Sequence, residues 1–254
     1  MPEAVPCPPP RRGRPPAGES PASADEILLA ALQGFAARGF DGMSVRDLNL
    51  RLGVSHNLVN RRFGTKDELW RATVDRRFSE LLAELEDALG PPEAGAAAGG
   101  SDDRTSDGSD AAAVSSDAEA RAGAGDPVDV LERFIVTFVE ANALRPELTR
   151  LMNVEAATPG PRLDHLYGTY VRPVWRRVAR LYQDLVDEGR VRPLPAGVLF
   201  FLVHGATGPA SHRALAAKLG LGRPADREVA AEHAQAVATA LLDGLRLPRE
   251  IPRQ

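Results

Sequence analysis

No segment of this chain alternates apolar and polar residues with period two over a useful length. Apolar residues spaced three and four apart recur instead from about residue 27 to residue 245. That spacing belongs to helices that bury one face, so the fold class is all-α, with about nine helices. The pattern is interrupted twice. Residues 1–23 are proline-rich with almost no large apolar side chain, and residues 90–126 hold eleven alanines, seven glycines and five serines but no aromatic. Neither stretch can bury enough surface to offset ordering entropy, which predicts a disordered arm and a disordered linker. The remainder of the 254 residues still suffices for a sizeable interior.

The net charge of −4 argues against a nucleic-acid partner until it is divided by segment. The linker carries eight acids against two arginines, a balance of −6, so everything outside it sums to +2. The linker reads first as a self-repelling spacer, and more sharply as an acidic decoy that competes with DNA phosphates for the basic surface. The longest apolar run, Ala196 to Val203, is far too short to span a membrane, and the N-terminus has no apolar signal core; a cytoplasmic location is expected. The single cysteine, Cys7, leaves no disulfide framework, Cys-based zinc site or internal redox pair. No two of the five histidines share i,i+4 spacing. Nucleophile-elbow and phosphate-loop patterns are absent. No metal, no cofactor and no catalysis are therefore expected.

Capping signals divide the helical pattern. Ser23 and Glu26 have capping-box spacing ahead of a helix over 24–38, and Gly39 suits the left-handed position after it. Ser44 opens a short helix to about Leu52, Gly53 makes a turn, and Ser55 opens another to about Arg62. Thr65 and Glu68 cap a fourth helix that runs to about Leu89, where Gly90-Pro91-Pro92 stops it. Beyond the linker, prolines mark the starts of helices at 127, 146, 161 and 195. The third of these runs to about Glu188 and the fourth to about Leu219. A last helix spans about 226–245.

Residues 44–63 thus form a helix-turn-helix. Leu48, Leu52, Val54, Leu58 and Val59 are spaced to pack on the first helix. Ser55, His56, Asn57, Asn60 and Arg61 remain outward, with side chains that hydrogen-bond base edges and phosphates. Here the sequence becomes specific. The run Ser44-Val45-Arg46-Asp47-Leu48, then Leu52-Gly53-Val54-Ser55, then Phe63-Gly64-Thr65-Lys66-Asp67-Glu68-Leu69 resembles the DNA-binding domain of the TetR (tetracycline-repressor-like) family of bacterial regulators. The resemblance covers about 24–75; the later helices are similar to that family only in number, length and order. It implies a homodimer on a palindromic double-stranded DNA operator, released when a small-molecule effector enters the C-terminal domain. It also implies that Ser44 and Val45 touch the DNA backbone and that Lys66 meets a phosphate. Four positions depart from the family pattern: Asn60 replaces a tyrosine, Arg62 a frequent histidine, and Asn49 and Leu52 small alanines. The first puts a phosphate contact in doubt or turns it to base reading; the last two imply a different packing of the first three helices.

The arm adds Arg12 and Arg14 in Arg-Gly-Arg-Pro, the core of an AT-hook, which can lie in a narrow minor groove. Residues 24–75 carry seven basic and seven acidic side chains, so placement rather than bulk attraction matters. In the C-terminal half, 127–247, Phe134, Phe138, Asn142, Met152, Tyr170 and Trp175 are the candidate effector-pocket residues, with Asn142 and Tyr170 as polar handles. Leu199, Phe200, Val203 and Ala206, with Ala234, Val237 and Leu241, are the candidate dimer interface, a four-helix contact between copies. Paired recognition helices about 34–36 Å apart also require a dimer. The expected mechanism is that effector binding tilts the 65–89 helix and alters the spacing of the two recognition helices. Two other classes stand beside it: an A·T-rich DNA architectural protein without operator choice, and an all-helical ligand carrier or enzyme.

Overall fold

A computed structural model describes residues 22–91 and 125–246. The arginine arm and nearly all of the acidic segment, Arg12 and Arg14 included, lie outside the described residues. Within them the chain is helical, apart from one isolated bridge between Val191 and Arg246.

The N-terminal helices are α1 (Ala24–Gly42), α2 (Val45–Arg51), α3 (Leu58–Phe63) and α4 (Lys66–Leu89). Both capping boxes form. Ser23 Oγ accepts from the Glu26 amide while the Ser23 amide donates to Glu26, and Thr65 and Glu68 repeat the arrangement. These amide bonds hold both glutamate carboxyls below their usual range. The first helix runs past its expected end because it continues beyond a kink at Gly39 (φ 69°, ψ 176°). Phe40 on the far side of the kink stacks on Phe35, with 5.9 Å between ring centroids. Ile27, Ala31, Phe35, Leu69 and Trp70 fill the core of this domain, all essentially inaccessible.

The second half comprises α5 (Pro127–Leu144), α6 (Pro146–Glu155), α7 (Pro161–Leu166), α8 (Arg172–Asp187), α9 (Ala196–Gly205), α10 (Gly208–Ser211), α11 (Arg213–Lys218) and α12 (Arg227–Leu245). Of two predicted long helices, one runs unbroken from Pro161 to Asp187 with a π-turn inside it, and the other divides. Between α7 and α8 the backbone makes a π-turn at Tyr167–Val171, in which the Arg172 amide donates to the Tyr167 carbonyl. Pro173 has no amide to continue the ordinary ladder, and the extra residue absorbs the loss. The helix expected over 195–219 divides into α9, α10 and α11: Pro209, which has no amide to give, stands in the first turn of α10, and His212 (φ −112°, ψ 47°) leaves helical geometry between α10 and α11. The two halves form one apolar core: α4 packs on α1, α5 and α8, and α6 lies along α1.

Gly39 occupies a conformation that only glycine adopts without strain. Gly39→Ala is expected to destabilise the chain by about 1–3 kcal/mol, read as a lower urea midpoint with an unchanged slope.

Candidate DNA-reading face and ligand cavity

The helix-turn-helix is braced by one buried amide. Gly53 turns with φ 65°, and Asn49, 1 % exposed, sits beneath it. Asn49 Nδ2 donates to the Val45 carbonyl (2.9 Å) and the His56 carbonyl (3.2 Å), while its Oδ1 accepts from the Val59 amide (3.2 Å). Asn57 precedes α3 but offers no side-chain cap. Asn49 therefore caps α3 from α2, and the departure from alanine seen in the sequence is a structural clamp. The recognition helix is also shorter than expected. Ser55–Asn57 form a turn closed by the Leu58 amide on the Ser55 carbonyl (3.0 Å).

Ser55, His56, Asn57, Asn60 and Arg61 are all exposed, in the turn before α3 and on α3 itself. Asn60 Nδ2 reaches the Gly64 carbonyl only at 3.5 Å, so the side chain is available. Arg62 donates to the Ala22 carbonyl (3.2 Å). Ser44 caps α2 by accepting from the Asp47 amide (3.2 Å), and Val45 is half-buried. Lys66 is engaged within the chain: Nζ donates to the Asp41 carbonyl (3.2 Å) and lies 4.6 Å from the Phe40 ring centroid. The Arg162 guanidinium lies 4.0 Å from the same centroid and pairs with the buried Glu155 (2.9 Å). Phe40 thus joins the reading domain to α6 and α7.

A cavity of about 90 Å³ lies between α4, α5, α6, α8 and α9. Phe134, Phe138, Asn142, Met152, Tyr170 and Trp175, the six residues singled out in the sequence, all line it. So do Phe78, Leu81, Leu82 and Leu85 of α4, and Phe200, Val203 and His204 of α9. Those additions carried no distinctive sequence signal: a wall of leucines on a helix reads as ordinary core. Asn142 is largely committed already, donating to the Phe138 carbonyl (2.8 Å) and accepting from Thr149 Oγ1 (2.9 Å).

The cavity is tied to α4 by hydrogen bonds as well as packing. Tyr170 donates its hydroxyl to Asp75 Oδ1 (2.7 Å), and the same oxygen pairs with His165 Nε2 (2.7 Å). Burial and the neighbouring carboxylate push the Tyr170 phenol up to about 12. The His165 ring stands edge-on to Trp70, 6.0 Å between centroids, at the base of the reading domain.

Three of the seven candidate dimer residues, Leu199, Val203 and Ala234, require correction. Leu199, Val203 and Ala234 are buried within their own chain, Phe200 and Val203 face the cavity, and Ala206, Val237 and Leu241 are half-buried against the protomer's core. The outward apolar side chains of α9 are Val198, Phe201 and Leu202, with Phe201 71 % exposed. Helix α9 is apolar around its whole circumference, so spacing alone cannot say which stripe faces inward. Among the described residues no cluster of metal-ligating side chains occurs, and no helix is long and apolar enough to cross a membrane.

This geometry defines a helix-turn-helix domain joined through a shared helix to a cavity-bearing helical domain. Residues 27–73 match the family described as bacterial regulatory proteins, tetR family. The chain is 45 % identical over 71 residues to an HTH-type transcriptional repressor of Mycobacterium tuberculosis and, equally, to a regulator of Mycobacterium bovis. That match spans 28 % of this chain and 37 % of each relative's length. Solved structures extend the likeness in fold. PfmR of Thermus thermophilus, itself a TetR-family regulator, is 19 % identical with a TM-score of 0.55, covering 89 % of this chain and 99 % of that one. A putative fatty acid metabolism regulator of Clostridium perfringens (14 %, TM-score 0.61) covers 87 % and 99 %, and the ketosteroid regulator KstR2 of Mycobacterium tuberculosis (16 %, 0.57) covers 91 % and 99 %. The helix-turn-helix segment is thus similar in sequence to TetR-family DNA-binding domains, and the remainder of the chain resembles these solved regulators in fold.

Asn49→Ala is expected to cost about 1–3 kcal/mol, because it strands the buried Val59 amide. Asn60→Ala, on the outward face, changes stability by no more than about 0.5 kcal/mol. Urea titrations of the two variants check the contrast.

Proposed function

We propose that the protein is a homodimeric, cytoplasmic transcriptional repressor that leaves a palindromic operator when a small apolar effector fills the cavity. The observation that carries this is the shared helix: α4 starts beside the recognition helix and forms one wall of the cavity. Ser55, His56, Asn57, Asn60 and Arg61 read the major groove. Asparagine suits adenine and arginine suits guanine. Ser44 and Val45 lie against the backbone, and Lys66 reaches a phosphate only by leaving Asp41. Arg12 and Arg14 add minor-groove contacts. Two of the proteins sharing the fold are named for fatty-acid and ketosteroid regulation, which supports an apolar effector.

Dimerisation goes through α9 and α12, with Val198, Phe201 and Leu202 as the apolar contacts. Effector binding moves Tyr170, and Asp75 passes that movement to α4 and, through His165, to Trp70. Coupling of this kind commonly amounts to about 1–3 kcal/mol.

Selection of bound DNA from random sequence is expected to enrich a palindrome whose half-site centres lie about one helical turn apart. Enrichment of generic A·T-rich DNA would overturn the operator reading. Phe201→Glu is expected to yield monomers in sedimentation and weaken operator binding at least about tenfold, since one half-site is then read alone. Deleting residues 1–15 is expected to lower affinity and flatten its salt dependence, because fewer counterions are released.

A further inference from the structure

The cavity's lining restricts what can enter it more tightly than its apolar character does. No lysine, arginine, aspartate or glutamate lines it, so a carboxylate or ammonium group would lose its hydration without gaining an opposite charge. Its upper wall is a set of interlocked rings. Trp175 meets Phe200 edge-on at 5.1 Å, and Phe200 stacks on His204 at 5.7 Å with 7° between planes. Phe138 lies 6.5 Å from His204. Such faces and edges favour an aromatic guest. Size limits that guest. An engineered core cavity of about 150 Å³ admits benzene, and about 90 Å³ admits one ring only if the unbranched Met152 gives way.

The polar groups then decide its substituent. Tyr170 is held by Asp75, and Thr149 donates to Asn142. Asn142 keeps one amide hydrogen beyond the one given to Phe138. His204 differs from the rest. Its Nε2 lies 3.0 Å from Asn153 Oδ1, an acceptor, so Nε2 carries the hydrogen. Burial holds the imidazole below its usual range and therefore neutral. Nδ1 is left as an acceptor without a hydrogen-bond partner among the described residues.

We infer that the cavity selects an uncharged, single-ring aromatic molecule carrying a hydrogen-bond donor, and that His204 is the residue that recognises the donor. The inference rests on the reading above only in taking this cavity as the effector site. Phenol, anisole and benzoate separate the features: anisole lacks the donor and benzoate adds the charge. In calorimetric titrations of the full chain, phenol is expected to bind about five- to tenfold more tightly than anisole, and benzoate to show no saturable binding. In His204→Phe, which keeps a ring against Phe200, phenol and anisole are expected to bind alike. Equal phenol and anisole affinities in the unaltered chain, benzoate binding as tight as phenol, or no binding by any of the three would overturn the inference. A parallel titration with the selected DNA duplex present separates the two readings. Phenol that binds as expected without releasing DNA overturns effector control and leaves the cavity's selectivity standing.

Discussion

Helix α4 is gripped at two places, and the rest of the molecule is arranged around that fact. Near its start, Leu69 and Trp70 are sealed into the core made with α1. Further along, Phe78, Leu81, Leu82 and Leu85 face the second domain and close one side of its cavity. A rigid element buried at both sites cannot move at one without disturbing the other, since close-packed interiors repack rather than deform smoothly. Asp75 stands between the two groups and accepts from both the cavity wall and the residue beside Trp70. A second connection runs from Glu155 through Arg162 to Phe40 and Lys66. One connection comes from the cavity wall and the other from α6 and α7, and both end in the reading domain.

The reading face itself depends on a polar group placed where a small apolar one would suffice for packing. Asn49 accepts from the Val59 amide in the first turn of the six-residue α3 and donates to two carbonyls, Val45 in α2 and His56 in the turn between them. Buried polar groups are tolerable only when fully bonded, and this one is. With its backbone fixed from below, α3 is free to present its polar side chains outward. The domain carries no net charge, so the proposed DNA reading rests on where those side chains stand rather than on general attraction.

Prolines shape the second domain. The π-turn ahead of Pro173 advances the chain by one residue and brings Tyr170 beside both Phe78 and Asp75. Helix α9 ends soon after His204, and Pro209 stands in the first turn of α10. The π-turn holds a residue that borders the cavity, in keeping with the frequent location of π-turns at functional sites.

Much of this was legible in the sequence because it is local. Capping boxes, the left-handed glycines and the three-four spacing are set by neighbours within a turn or two, and they located the helices of the reading domain and its outward residues. The six residues named as pocket candidates, four aromatics, one amide and one methionine, do border the cavity. The inward and outward faces of α9 were not legible. A helix apolar all round has no preferred stripe, and only packing against the rest of the chain turned Leu199 and Val203 inward and left Phe201 outside. Nor did the sequence reveal that Asn49 is a clamp, that Lys66 is held by Asp41 and Phe40, or that Asp75 meets Tyr170 and His165. Each of those depends on side chains brought together from distant parts of the chain, and such contacts exist only once the core has chosen how the helices cross.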